Sequence, residues 1–144
     1  MKITIACDHA GYELKETVKK WLSEKGISVE DEGCYSNESV DYPDYAHKAA
    51  LKVNNGLCER GIVICGSGNG VNITVNKYEN VRSALCWTQE IAQLARLHND
   101  NNIIALPARF VTTEEALAMV DIFLNTAFEG GRHQKRVDKI KKPK

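Results

Sequence analysis

Five short runs of aliphatic and β-branched residues constrain this chain most, because stretches of helical periodicity separate them. The runs are KITIAC (2–7), ISVEDEG (27–33), GIVIC (61–65), RSALCW (82–87) and NIIAL (102–106). None has a helical period, and each is short enough for a strand. Between the first two, Leu14, Val18, Trp21 and Leu22 recur at helical spacing up to Gly26, a natural C-cap. After Pro43, which a first helical turn tolerates, Ala46, Ala49, Ala50 and Val53 line one face until NNG ends it. VNITVNK reads as a short helix. Thr88 can cap a helix whose inner face is Ile91, Leu94, Ala95 and His98. Thr112 and Glu115 form a capping box for a helix to about Ala127, EGG breaks it, and a last helix runs from Arg132 to about Lys142. Strand and helix alternating in this way imply a parallel sheet covered on both faces, an α/β fold. The 144 residues suit one domain, 1–144. Ligands of such sheets bind beyond the carboxyl ends of the strands.

Charge narrows the partners. Lys plus Arg number 19 and Asp plus Glu 19, a balance that argues against nucleic acid or an anionic membrane as partner while leaving local clusters able to bind a small anion. No apolar run approaches the ~20 residues of a membrane span, and the opening MKITIACDHAG is too short in apolar residues for a signal peptide. The five cysteines (7, 34, 58, 65 and 86) are odd in number and form no C-x-x-C pair. A disulfide framework and a zinc ribbon are therefore not expected; reduced thiols in a cytoplasmic protein are.

The chemistry-bearing residues gather at element ends. The first strand ends in Cys7-Asp8-His9-Ala10-Gly11, the third in Cys65 and the loop Gly66-Ser67-Gly68-Asn69-Gly70. The fourth helix ends in His98-Asn99-Asp100, and the last opens with Arg132-His133 and carries Arg136. In this topology these points can converge on one edge of the sheet. The glycine loop can turn its N–H groups toward a phosphate, a carboxylate or a developing oxyanion. It lacks the Gly-Lys-Ser/Thr of a Walker loop and the G-x-G-x-x-G of a dinucleotide site, and a plain tight turn uses the same glycines. Free cysteines are mostly inert core residues, which is the reading for Cys7, Cys58 and Cys86. Cys65 differs because it leads into helix-end donors, which favour a thiolate and lower its pKa from about 8.5. Arg132 and Arg136, four apart, share a helix face; an ordinary solvated face is the commoner fate of such a pair. Arginine forks also match phosphate geometry, so the set together points to acid–base chemistry on a small phosphorylated molecule.

CDHAG (7–11), DYP (41–43), CGSGNG (65–70), NK (76–77), RLHNDNN (96–102) and EGGRHQKR (129–136), in this order and spacing, resemble the ribose-5-phosphate isomerase B family, which includes allose- and galactose-6-phosphate isomerases. The resemblance implies a three-layer, Rossmann-like α/β/α sandwich with a five-stranded parallel sheet. It implies a homodimer, sometimes paired into a homotetramer, with active sites built between subunits and the helix at about 132–142 packed on a partner. No metal and no organic cofactor are expected. The implied reaction interconverts ribose 5-phosphate and ribulose 5-phosphate through a cis-enediolate. By that similarity Cys65 moves the proton between C2 and C1, and Ser67 manages protons on the substrate oxygens. Backbone N–H groups of Gly66, Gly68, Asn69 and Gly70 hold the enediolate. His98, assisted by Asp8, opens the furanose ring, and Asn99 binds sugar oxygens. His9, Arg109, Arg132 and Arg136 grip the phosphate, and Tyr42 lines the mouth. Some family members place a glutamate base just after the last glycine; here that position is Val71, which puts the chain with the members that use the thiol. Competing readings are a hexose-6-phosphate isomerase on the same machinery, a cysteine hydrolase built from Cys65, His98 and Asn99, and a non-catalytic sugar-phosphate sensor.

Overall fold

The computed structural model describes residues 1–144. Five parallel strands, β1 (Lys2–Cys7), β2 (Ser28–Asp31), β3 (Arg60–Cys65), β4 (Ser83–Leu85) and β5 (Ile103–Pro107), form one sheet in the order β2-β1-β3-β5-β4. Six helices accompany them: α1 (Tyr12–Glu24), α2 (Tyr42–Asn54), α3 (Asn69–Val75), α4 (Gln89–Asn99), α5 (Thr113–Asn125) and α6 (Arg132–Asp138). The last helix is shorter than the 132–142 expected from sequence. No helix is long and apolar enough to cross a membrane.

Alternation along the strands builds two cores. Ile3, Ile5, Cys7, Ile62, Ile64, Ile104 and Leu106 face the layer of α1, α4 and α5, where they meet Val18, Leu22, Met119, Val120 and Phe123. The intervening Ala6, Val63, Cys65, Ile103 and Ala105 face α2 and α3, meeting Ala46, Ala49, Ala50, Val53, Val71 and Val75. Each fully buried aliphatic side chain contributes about 1.5–3 kcal/mol of transfer free energy. The Thr112–Glu115 capping box is present at the start of α5, with both reciprocal hydrogen bonds.

Two buried cations fasten this frame. Lys15 has no exposed side-chain surface, and its Nζ donates to both Asp31 oxygens (2.7 and 2.8 Å) and to the Cys34 carbonyl (2.6 Å). That ties α1 to the end of β2. Arg96 is 3% exposed and donates to Asn101 O (2.6 Å), Thr126 O (3.0 Å) and Asp100 Oδ1 (2.9 Å). The inner face of α4 is therefore Ala92, Ala95 and Arg96, rather than the Ile91–Leu94–Ala95–His98 stripe expected from spacing. Ala95 belongs to both stripes and stays inside. Leu94 is 36% exposed, Ile91 partly buried and His98 half-buried. The helix turns toward the acceptors that Arg96 finds at the ends of α4 and α5.

Strand order also creates a crevice. The chain leaves β1 into α1 on one face of the sheet and leaves β3 into α3 on the other, so the two exit loops diverge. Neighbouring parallel strands whose crossovers part in this way open a ligand crevice at their carboxyl ends.

Candidate active site

Asp8 and Cys65 stand on either side of that crevice. Cys7 is in register with Ile64, so the next residues of β1 and β3 lie about one strand spacing apart, roughly 5 Å. Cys65 is in register with Pro107, which brings Arg109 alongside: Ala108 N–H donates to Cys65 O (2.9 Å) and Arg109 N–H to Gly66 O (3.0 Å).

The loop after Cys65 is open to an anion. The N–H groups of Gly66, Ser67, Gly68 and Gly70 donate to no atom of the protein, while Asn69 N–H turns back to Ser67 Oγ (3.3 Å). Gly68 has φ +76, and a Cβ there would come within 2.5 Å of Leu85 Cδ1. Tyr42, the first residue of α2, lies across the start of α3, its ring 2.5 Å from where a Gly70 Cβ would be. Cys65 is 5% exposed beneath this loop. A cleft of about 390 Å³ adjoins it, lined by Ser67, Asn69, Leu85, Trp87, Pro107 and Phe110. Three other thiols are held protonated by their surroundings. Burial pushes Cys7 far up, Cys86 to about 12, and Cys58, also beside Glu30, to about 11. They behave as the inert core residues read from sequence.

The Asp8-His9 pair is held on its own side of the crevice. Asp8 Oδ1 accepts from Ala10 N–H (3.0 Å) and Gly11 N–H (3.1 Å), capping a single 3-10 turn. Gly11 is required because a Cβ would sit 2.7 Å from Ile64 Cγ2. His9 Nδ1 accepts from Val40 N–H (3.1 Å).

His98, Asn99, Arg132 and Arg136 lie elsewhere, and the expected convergence on one edge does not occur within the chain. A helix that follows a parallel strand must return to the amino edge before the next strand starts. Accordingly Asn99 O accepts from Arg82 Nε (3.1 Å), just ahead of β4, and Leu97 O accepts from Glu129 N–H (3.1 Å), which brings α6 along. The two groups are separated by the length of β3, roughly 20 Å at about 3.3 Å per residue. At the amino edge the His98 and His133 rings stack, centroids 4.2 Å apart and planes 14° off parallel. Burial, then the neighbouring His98 and Arg132, pulls the His133 pKa below its usual value. His133 and its i,i+4 neighbour Glu129 were not assigned a role from sequence; the Glu-x-x-x-His spacing was the available signal.

The arginines divide by their partners. Arg60, Arg82 and Arg96 donate to backbone carbonyls. Arg109, Arg132 and Arg136 are exposed and form no ion pair. Exposed guanidiniums left without an acceptor in the protein are the ones available to a phosphate.

A family model described as Ribose/Galactose Isomerase matches residues 3–140. The chain belongs to this family. It is 45% identical to ribose-5-phosphate isomerase B of Escherichia coli K12 over 139 residues, 96% of this chain and 93% of that one. It superposes on the Clostridium thermocellum ribose-5-phosphate isomerase B with a TM-score of 0.96 and 48% identity, covering 97% of this chain and 95% of the other. The Mycoplasma genitalium enzyme with bound ribulose-5-phosphate gives 0.92 and 45%, with coverage of 96% and 93%. Membership agrees with the five-stranded parallel sheet and with the sugar-phosphate chemistry expected from the motifs.

Proposed function

We infer that this chain is an aldose–ketose isomerase that interconverts ribose 5-phosphate and ribulose 5-phosphate. The observation that carries the reading is Cys65 beneath a loop in which the N–H groups of Gly66, Ser67, Gly68 and Gly70 donate to nothing in the protein. In the reaction the Cys65 thiolate removes the C2 proton of the open-chain aldose and returns it to C1. The charge that develops on the oxygens is met by the free N–H groups of Gly66, Ser67, Gly68 and Gly70, preorganised donors that need not reorient, while the Asn69 N–H holds Ser67 Oγ. Ser67, exposed at that loop, passes the hydroxyl proton between O1 and O2. Tyr42 closes one side.

The remaining groups come from a second copy. One chain presents Asp8, His9, Cys65 and Arg109 at the carboxyl edge, and His98, Asn99, Arg132 and Arg136 at the amino edge. A two-fold dimer brings the amino-edge group of each chain to the carboxyl-edge group of the other, giving two equal sites, and pairing of dimers gives a tetramer. In that assembly His98, assisted by Asp8, opens the furanose, and Asn99 holds sugar oxygens. Arg132 and Arg136, with Arg109 and His9, clamp the phosphate. The helix α6 then packs against the partner as part of a single functional domain. Five free cysteines, two of them (Cys7 and Cys34) with sulfurs 3.8 Å apart, suit the reducing cytoplasm.

The test is turnover of ribose, allose and galactose phosphates by purified protein with and without chelator. Chelator-insensitive turnover of the pentose phosphate is expected. A preference for a hexose 6-phosphate would move the substrate, and no turnover of any would leave a sugar-phosphate binder.

A further inference from the structure

The stacked histidines at the amino edge have an unmet requirement. His133 is 6% exposed, and its Nε2 is buried without a hydrogen-bond partner. The Glu129 Oε1 beside it is 3.7 Å away, too far for a hydrogen bond. His98 lies flat against the ring and supplies no in-plane donor. A buried imidazole nitrogen, a second imidazole and a carboxylate thus stand side by side at the amino edge. One ligand atom from each of His98, Glu129 and His133 lies within 4.8 Å of the other two.

We propose that His98, Glu129 and His133 form a binding site for a divalent transition-metal ion of the zinc type. Two imidazoles and one carboxylate match that ion's preference, whereas magnesium and calcium favour oxygen ligands alone. Metal–ligand bonds of about 2.0–2.2 Å place tetrahedral ligands roughly 3.4 Å apart, so the group has to contract by up to about 1.4 Å. Burial fixes His133, while Glu129 and the half-buried His98 are free to close on it. Binding fans the two rings apart at their nitrogen edges and leaves a fourth position to water. Arg132 and Arg136 stand close enough to repel a cation, and the Glu129 carboxylate offsets them.

An ion held here is an inhibitor and not a cofactor, because it takes the lone pair His98 needs for ring opening. That consequence rests on the role given to His98 above; the site itself does not.

The test uses tag-free, chelator-treated and dialysed protein titrated with Zn²⁺ by calorimetry and with Co²⁺ by visible absorption. Wild type, Glu129→Gln, His133→Asn and Cys65→Ala are compared, with Mg²⁺ as control. Wild type and Cys65→Ala should bind one ion per chain, without a thiolate-to-cobalt charge-transfer band. Glu129→Gln should weaken binding on the order of tenfold and His133→Asn on the order of a hundredfold. Should His133→Asn not fold, Glu129→Gln decides, since that side chain is exposed. No saturable binding, a thiolate band, or unchanged affinity in Glu129→Gln overturns the site. Binding with undiminished turnover of ribose 5-phosphate keeps the site and removes His98 from ring opening. No binding with normal turnover sinks the site and leaves the isomerase reading intact.

Discussion

The Arg109 guanidinium rests on the Cα of Gly66. A Cβ built there would meet Nη1 at 2.9 Å, and the Arg109 N–H donates to the Gly66 carbonyl at 3.0 Å. The group proposed to hold the phosphate and the loop proposed to hold the enediolate are thus one mechanical unit. Gly66→Ala should leave the fold intact, because only the mobile end of an arginine has to move. It should raise KM for ribose 5-phosphate by about tenfold, one charge-assisted contact's worth, with a smaller fall in kcat. Steady-state kinetics beside a thermal melt check this. An unchanged KM would detach Arg109 from the phosphate.

Cys65 carries the proton transfer in the proposed mechanism. Cys65→Ala should cut kcat by about a thousandfold or more, within the range of general-base catalysis, while product affinity and melting temperature stay near wild type. Solvent-deuterium exchange at C2 should vanish with turnover. Activity close to wild type would take the thiol out of the reaction.

Opposite-edge placement makes complementation the sharpest test of assembly. Cys65→Ala and His98→Ala should each be nearly inactive. After mixed unfolding and refolding, half of randomly paired dimers are hybrids, and each hybrid has one intact site. Activity should return to about a quarter of wild type. Mixtures no more active than their parents would place all the catalytic groups within one chain.

The Lys15–Asp31 pair predicts an acid limit to stability. Burial pushes the Asp31 carboxyl up, but hydrogen bonds from Lys15, Lys19 and the Gly33 N–H outweigh it and hold the pKa below its ordinary 3.8. A carboxyl depressed in the folded state stabilises fully above its unfolded pKa, and the contribution disappears as pH falls through the folded value. Denaturant midpoints should therefore drop below about pH 4. Asp31→Asn should lose about 3 kcal/mol at pH 7, because it strands a buried ammonium, and should show a flatter acid limb. An equally steep acid limb in the variant would place the effect elsewhere.

Much of the fold was legible because its signals are local. The β1 run 2–7, the GIVIC strand, the Pro43 helix start and the Thr112–Glu115 box need only neighbouring residues to be read. The buried cations were not. Lys15 and Arg96 look like solvent-facing positions until Asp31, the Cys34 carbonyl and the Thr126 carbonyl arrive from distant segments. The same blindness misplaced the inner face of α4. Motif residues could be picked out one by one, but not the edge each occupies. That depends on which way a crossover helix runs, and it divided the candidates into two groups.

The hydrogen bond from Val40 to His9 sets a limit on what that imidazole can do. With Nδ1 committed as an acceptor, the neutral ring carries its hydrogen on Nε2 alone. A ring pinned this way cannot relay protons from one nitrogen to the other, which in the proposed mechanism suits His9 to recognition and leaves proton transfer to Cys65, Ser67 and His98. The pin belongs to a surface loop, so shortening the stretch between Cys34 and Val40 would blur that division of labour without touching a reacting group.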